Sequence, residues 1–173
     1  MEDCEDFFAY GIISSNCIME NTKPKIFFMI GAPLSGKSTY ISEHYSDLAI
    51  MSRDSMVLIV AGIDNYNEAW KVVDQKMVDH HLQQHFEHLL NLKRNFVIDM
   101  TNMSKKSRRR WISRIDKKQF DLVAIVLRPP LELLLERNQT RPGKTIPEHI
   151  VRSMYAAYEE PTNEEGFSEV IYV

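Results

Sequence analysis

The chain is short of the features that mark several protein classes. Of its 173 residues only two are cysteines, Cys4 and Cys17. Their spacing is neither that of zinc ligands nor that of a Cys-x-x-Cys redox pair, so a reducing, intracellular setting, cytoplasmic or nuclear, fits best. No apolar run approaches the roughly 18 residues of a membrane span, and the start, "MEDCEDFFAYG", is acidic where a secretory leader would be basic. Excess charge of one sign is also lacking. At a formal −3 there is no global pull toward nucleic acid or an anionic membrane, so such contact needs a local patch. What remains is ordinary for a soluble globular chain: 44% hydrophobic and 26% charged residues make wholesale disorder a poor reading.

The length suits one domain, residues 25–173, with a short appendage, residues 1–24, to which no role is assigned. Short apolar runs recur at Ile26–Ile30, Leu48–Met51, Phe96–Ile98, Leu122–Leu127 and Val170–Val173. Helical stretches are expected between them, at 37–45, 54–62, 66–92, 104–118, 131–139 and 147–159. In the longest, Trp70, Val73, Met77, Phe86 and Leu89 are expected to share one inward face. Continuous apolar strands alternating with helices predict an α/β three-layer sandwich: a five-stranded parallel sheet covered on both faces. Its ligand then lies across the carboxyl ends of the strands.

The first run leads into "GAPLSGKST", which fits G-x-x-x-x-G-K-[ST] from Gly31 to Ser38. Gly31 and Gly36 let the backbone turn, so that the amides of Ala32, Pro33's neighbours, Leu34 and Ser35 can surround phosphate oxygens. Lys37 neutralises the β and γ oxygens, Ser38 offers a hydroxyl to Mg2+, and Thr39 continues the helix whose positive end faces the anion. The motif follows a strand and opens a helix, the context that a P-loop NTPase site for ATP requires.

Transfer of the phosphate needs further groups. Asp99 ends the apolar "NFVID", the form of a metal-side carboxylate, and Asp54 follows "LAIMSR" at the start of a helix. Asp54 reads either as a helix cap or as a general base. Arg53 sets a cation beside it, and Thr101 and Asn102 add hydrogen-bonding side chains after Asp99, so that these three could grip a polar acceptor. After the fourth run, Arg137, Arg141 and Lys144 lie around the break at Pro142–Gly143, the composition of an arginine-bearing lid. In "SKKSRRRWISRIDKK", Lys106, Arg110, Arg114 and Lys117 fall on one helical face, with Trp111, Ile112 and Ile115 turned inward.

Together these stretches resemble the kinase domain of the P-loop 5′-hydroxyl polynucleotide kinases of bacteriophage and of eukaryotic end-repair enzymes. "SRDSM", "VIDMTNMS", "RNQTR" and "IPEHIVRSMYAAYEEPTNEEGF" are similar to that family's base, D-x-T-N, lid and closing segments, over residues 26–173. The resemblance implies ATP and Mg2+, a DNA or RNA end as partner, and no membrane. It implies Asp54 as general base, Arg141 on the transferring phosphate, Arg137 on the nucleotide, and Ser38 and Asp99 on the metal. Phage members carry an arginine for an acceptor phosphate where this chain has Val57. Two alternatives stand beside it: a P-loop kinase for a nucleoside, sugar or other small acceptor, and a nucleotide-binding module without catalysis.

Overall fold

The computed structural model describes residues 23–141 and 146–173. Residues 1–22 of the expected appendage, and Lys144 with the Pro142–Gly143 break of the expected lid, lie outside them. Among the described residues five strands form one parallel sheet in the order β2-β3-β1-β4-β5. They are β1 (Lys25–Ile30), β2 (Ala49–Ser52), β3 (Phe96–Asp99), β4 (Asp121–Val126) and β5 (Glu169–Tyr172). The helices are α1 (Lys37–His44), α2 (Arg53–Ala61), α3 (Tyr66–Val72), α4 (Gln75–Leu92), α5 (Lys105–Ile112), α6 (Leu131–Thr140) and α7 (Glu148–Ala156).

The inner strands β1, β3 and β4 are apolar along their middles because both their faces are covered, while β2 and β5 at the edges are partly exposed, and the two-residue period divides the inward residues between two cores. Ile26, Phe28 and Ile30 of β1 pack with Leu82, Phe86 and Trp111 of α4 and α5 on one face. Phe27 and Met29 point the other way and meet Ile41 of α1. This is the expected layered α/β architecture. Trp111, Ile112 and Ile115 are buried as their spacing requires.

Two expected helices are shorter than the apolar period suggests. The stretch 66–92 is broken at Val73, whose backbone is extended, and restarts at Asp74, whose side chain accepts the Lys76 amide at 2.8 Å. Consecutive β-branched residues followed by an aspartate favour this stop and restart over continuation. The inward face shifts accordingly. Val78, Leu82, Phe86 and Leu89 are buried in α4, whereas Trp70 and Met77 are among the exposed apolar residues. The stretch 104–118 ends at Ile112, after which the amides of Arg114 and Ile115 bond three residues back. The Asp116 carboxylate then takes the Lys118 amide and fixes a turn. Arg114 and Lys117 therefore lie beyond α5, and the continuous basic face expected from 104–118 is not formed.

Candidate active site

β1 lies between β3 and β4, so the loop leaving its carboxyl end sits at the centre of that edge of the sheet. A Cβ on Gly31 would stand 2.5 Å from Ser35 Oγ and 2.6 Å from the Leu127 carbonyl, so only glycine fits. Gly36 caps α1 at φ 99°, and Leu34 adopts φ 70°, a backbone that an ordinary side chain takes up only under constraint. Lys37 Nζ donates to the Gly31 and Ala32 carbonyls at 2.8 and 2.9 Å, folded along the loop it closes. Ser35 Oγ is buried without a hydrogen-bond partner, and Ser38 and Thr39 are exposed on the first turn of α1. An orphaned loop hydroxyl, a cradle that excludes Cβ and a helix amino end suit a phosphate chain.

The loop after β3 is tied to this cradle. Gly31 N donates to the Thr101 carbonyl at 3.0 Å. Asn102, at φ 47°, is buried and donates its amide to the Met29 carbonyl at 3.0 Å. The Asn102 amide thus holds two strand ends together, where an acceptor-binding side chain was expected. Arg53 is likewise engaged. Its guanidinium donates to Asp79 and, at 2.8 Å, to Gln75, both on α4. Burial opposes the charge of Asp79, but Arg53 and then Arg110 outweigh it and hold the carboxyl below its ordinary pKa.

The two strand-end aspartates are brought together by register. Ser52 pairs with Asp99, and Asp54 follows two residues later on the first turn of α2. The cap of α2 is Ser52, whose side chain accepts the Ser55 amide, so capping does not explain Asp54. Asp54 is exposed and accepts a hydrogen bond from the Tyr66 hydroxyl on α3. Burial, and next the Asp54 charge, push Tyr66 far above the usual phenol pKa, while Arg53 and Arg141 pull the other way. Arg141 caps the end of α6, and its charge is the smallest of the influences felt at Tyr66. Arg137, one turn earlier, donates to the Leu34 carbonyl in the phosphate loop at 3.0 Å. Val57 is fully buried against Ala69 and Val78, so that position belongs to the core between α2, α3 and α4.

Sequence reasoning missed three residues at this edge. Tyr66 could have been suspected from the cap signal Asn65 before it. Arg128, two residues beyond β4, lies over the Tyr155 and Tyr158 rings at 5.2 and 4.3 Å and fastens the end of α7 to the sheet. Arg108 is buried and forms a two-pronged pair with Glu165, both bonds at 2.8 Å. Among the described residues no group of three or more His, Cys, Asp or Glu side chains is placed to hold a metal by itself. Ser38 and Asp99 suit Mg2+, which takes few protein ligands and completes its shell with phosphate and water.

A parallel sheet bearing this phosphate loop on its central strand, with carboxylates on the neighbouring strand ends, defines a P-loop kinase domain. A family model described as AAA domain (AAA_33) matches residues 26–161, and the chain belongs to that family. It is 26% identical over 136 residues to an L-seryl-tRNA(Sec) kinase of Methanococcus maripaludis, covering 79% of this chain and 53% of that protein. The chain thus spans about half the length of this curated relative. A chain of the Pnkp1/Rnl/Hen1 RNA repair complex superposes with TM-score 0.64 at 22% identity, over 80% of this chain and 45% of that one. A gluconokinase from Sinorhizobium meliloti 1021 superposes with TM-score 0.54 at 17% identity, over 87% and 82%. These structural likenesses speak to the fold. Among the described residues no helix is long and apolar enough to cross a membrane.

Proposed function

We propose that this domain transfers the γ-phosphate of ATP to the 5′-hydroxyl of a DNA or RNA end. The observation that carries the reading is Asp54: an exposed carboxylate, not used as a cap, two residues beyond the Ser52 that pairs with the Asp99 strand end. Asp54 accepts the proton of the acceptor hydroxyl as its oxygen bonds to the γ-phosphorus and the bond to the β,γ-bridging oxygen breaks. Lys37 and the loop amides hold the triphosphate, Arg137 steadies the loop at Leu34, and Arg141 balances charge on the transferring group. Ser38 and Asp99 would hold Mg2+, which supplies neutralisation of the phosphate oxygens. Thr101 sits on the acceptor side, its carbonyl anchored on Gly31.

Two relatives with RNA in their names support a nucleic-acid acceptor. A small-acceptor kinase is the second reading, favoured by the buried Val57, which leaves no cation where phage enzymes hold an acceptor phosphate. Incubation with γ-labelled ATP tests both, with short 5′-hydroxyl oligonucleotides beside a panel of nucleosides and sugars. Label on oligonucleotides, falling steeply with ionic strength, is the expected result. Label on the small acceptors alone, insensitive to salt, overturns the polynucleotide reading. ATP binding with no labelled product overturns both.

A further inference from the structure

The formal charge of −3 is not spread evenly along the chain. Residues 1–22 hold five of the 24 acidic residues, Glu2, Asp3, Glu5, Asp6 and Glu20, and none of the 21 basic ones. The rest of the sequence therefore carries two more cations than anions. Phe7, Phe8 and Tyr10 directly follow the acidic start. A segment of this composition suits a surface that is basic at its rim and apolar at its floor. The structure has such a surface where its described chain begins. An open groove of about 790 Å³ lies at the amino ends of β1, β2 and β3, the edge of the sheet opposite the phosphate loop. Leu48, Leu89 and Leu92 give it an apolar lining, with Leu92, at the end of α4, 46% exposed. Lys23, Lys25, Lys93 and Arg94 supply its charge, against a single carboxylate, Asp47. Lys23 is engaged by Asp121 at 3.7 Å and by the Lys117 carbonyl at 3.2 Å. Among the described residues, Lys25, Lys93 and Arg94 form no ion pair. Their backbone is nonetheless fixed: the Lys25 amide donates to Asn95 Oδ1 at 2.8 Å, and Lys93 ends α4 at φ 49°.

We propose that this groove is the docking site of the chain's own residues 1–22, the acidic start meeting Lys25, Lys93 and Arg94 and the Phe7–Phe8 pair covering the leucines. Lys23 lines the groove, so the segment reaches it from its own rim. The 16 residues between Asp6 and Lys23 span up to roughly 55 Å when extended, enough to double back across a groove of this size. Tethering gives the segment an effective concentration of about a millimolar, so a few salt-screened charge contacts and one apolar cluster suffice to hold it. The groove lies away from the phosphate loop, and the inference does not rest on the kinase reading.

The two cysteines both lie in the segment, so Cys17→Ser leaves Cys4 as the sole thiol of the full chain. Into this background a second thiol is placed in the groove by Leu92→Cys or, as the control, at the opposite edge by Arg152→Cys. Arg152 is exposed on α7, which packs beside Ala32 of the phosphate loop. Asp47→Cys is the second groove position, used where thermal melting shows Leu92→Cys to be unfolded. The rate of linkage to Cys4 by a short bis-maleimide is read by peptide mapping. Docking predicts linkage about tenfold faster from the groove than from α7. Lys93→Glu with Arg94→Glu brings the groove rate to within about twofold of the control, and adding Glu5→Lys with Asp6→Lys restores it. Equal rates at the groove and α7, or a groove rate that ignores the charge reversals, overturn the proposal. Linkage between chains, rising with protein concentration, identifies a second copy as the occupant and overturns it too.

Discussion

Arg108 sits in a run of three consecutive arginines, yet it alone of the three is buried. Besides the Glu165 pair, its guanidinium donates to the carbonyls of Asn102, Met103, Glu159 and Glu160. One cation thus joins the loop after β3 to the segment ahead of β5, and that loop in turn anchors Gly31. Arg108→Met leaves Glu165 without its partner and four carbonyls short of a donor. Breaking one side of such a buried pair costs about 3–5 kcal/mol, so the urea midpoint falls sharply. A shift of under about 1 kcal/mol contradicts the clamp. The sequence gives no sign of this role, because arginine in a basic run reads as surface and only the fold decides which of three neighbours turns inward.

At the level of elements, the strands were legible and the helix ends were not. Five apolar runs bounded by turn residues can hardly be anything but covered strands. The stretch from 66 to 92 keeps an apolar period on both sides of its break, so periodicity cannot reveal it. The decision rests on the extended Val73 and the capping Asp74. Asp74→Ala removes that cap and costs about 1 kcal/mol in thermal unfolding. Were α3 and α4 one helix, alanine there would stabilise it, so a raised melting temperature contradicts the break. The break sets Tyr66 at the start of a short helix of its own, packed between α2 and α4.

For the whole molecule, the sheet order decides what the cleft contains. With β1 flanked by β3 and β4, the phosphate loop, the Asp99 strand end and the start of α6 converge on one edge. The phosphate loop was legible because its chemistry lies within nine consecutive residues. The strand-end aspartates were legible because a carboxylate closing an apolar run is itself a local signal. Asn102 and Arg53 read as acceptor groups from sequence alone. Their partners, the Met29 carbonyl and the Asp79–Gln75 pair, lie 73, 26 and 22 residues away and become visible only on folding. Arg137 reaches the Leu34 carbonyl of the phosphate loop, 103 residues away in sequence.

The most direct trial of the account is Asp54→Asn, assayed with γ-labelled ATP and a 5′-hydroxyl oligonucleotide alongside equilibrium ATP binding. Loss of the base predicts transfer slowed by about 100-fold or more, with ATP affinity within about twofold of wild type. Turnover at the wild-type rate, with the oligonucleotide labelled as before, contradicts it.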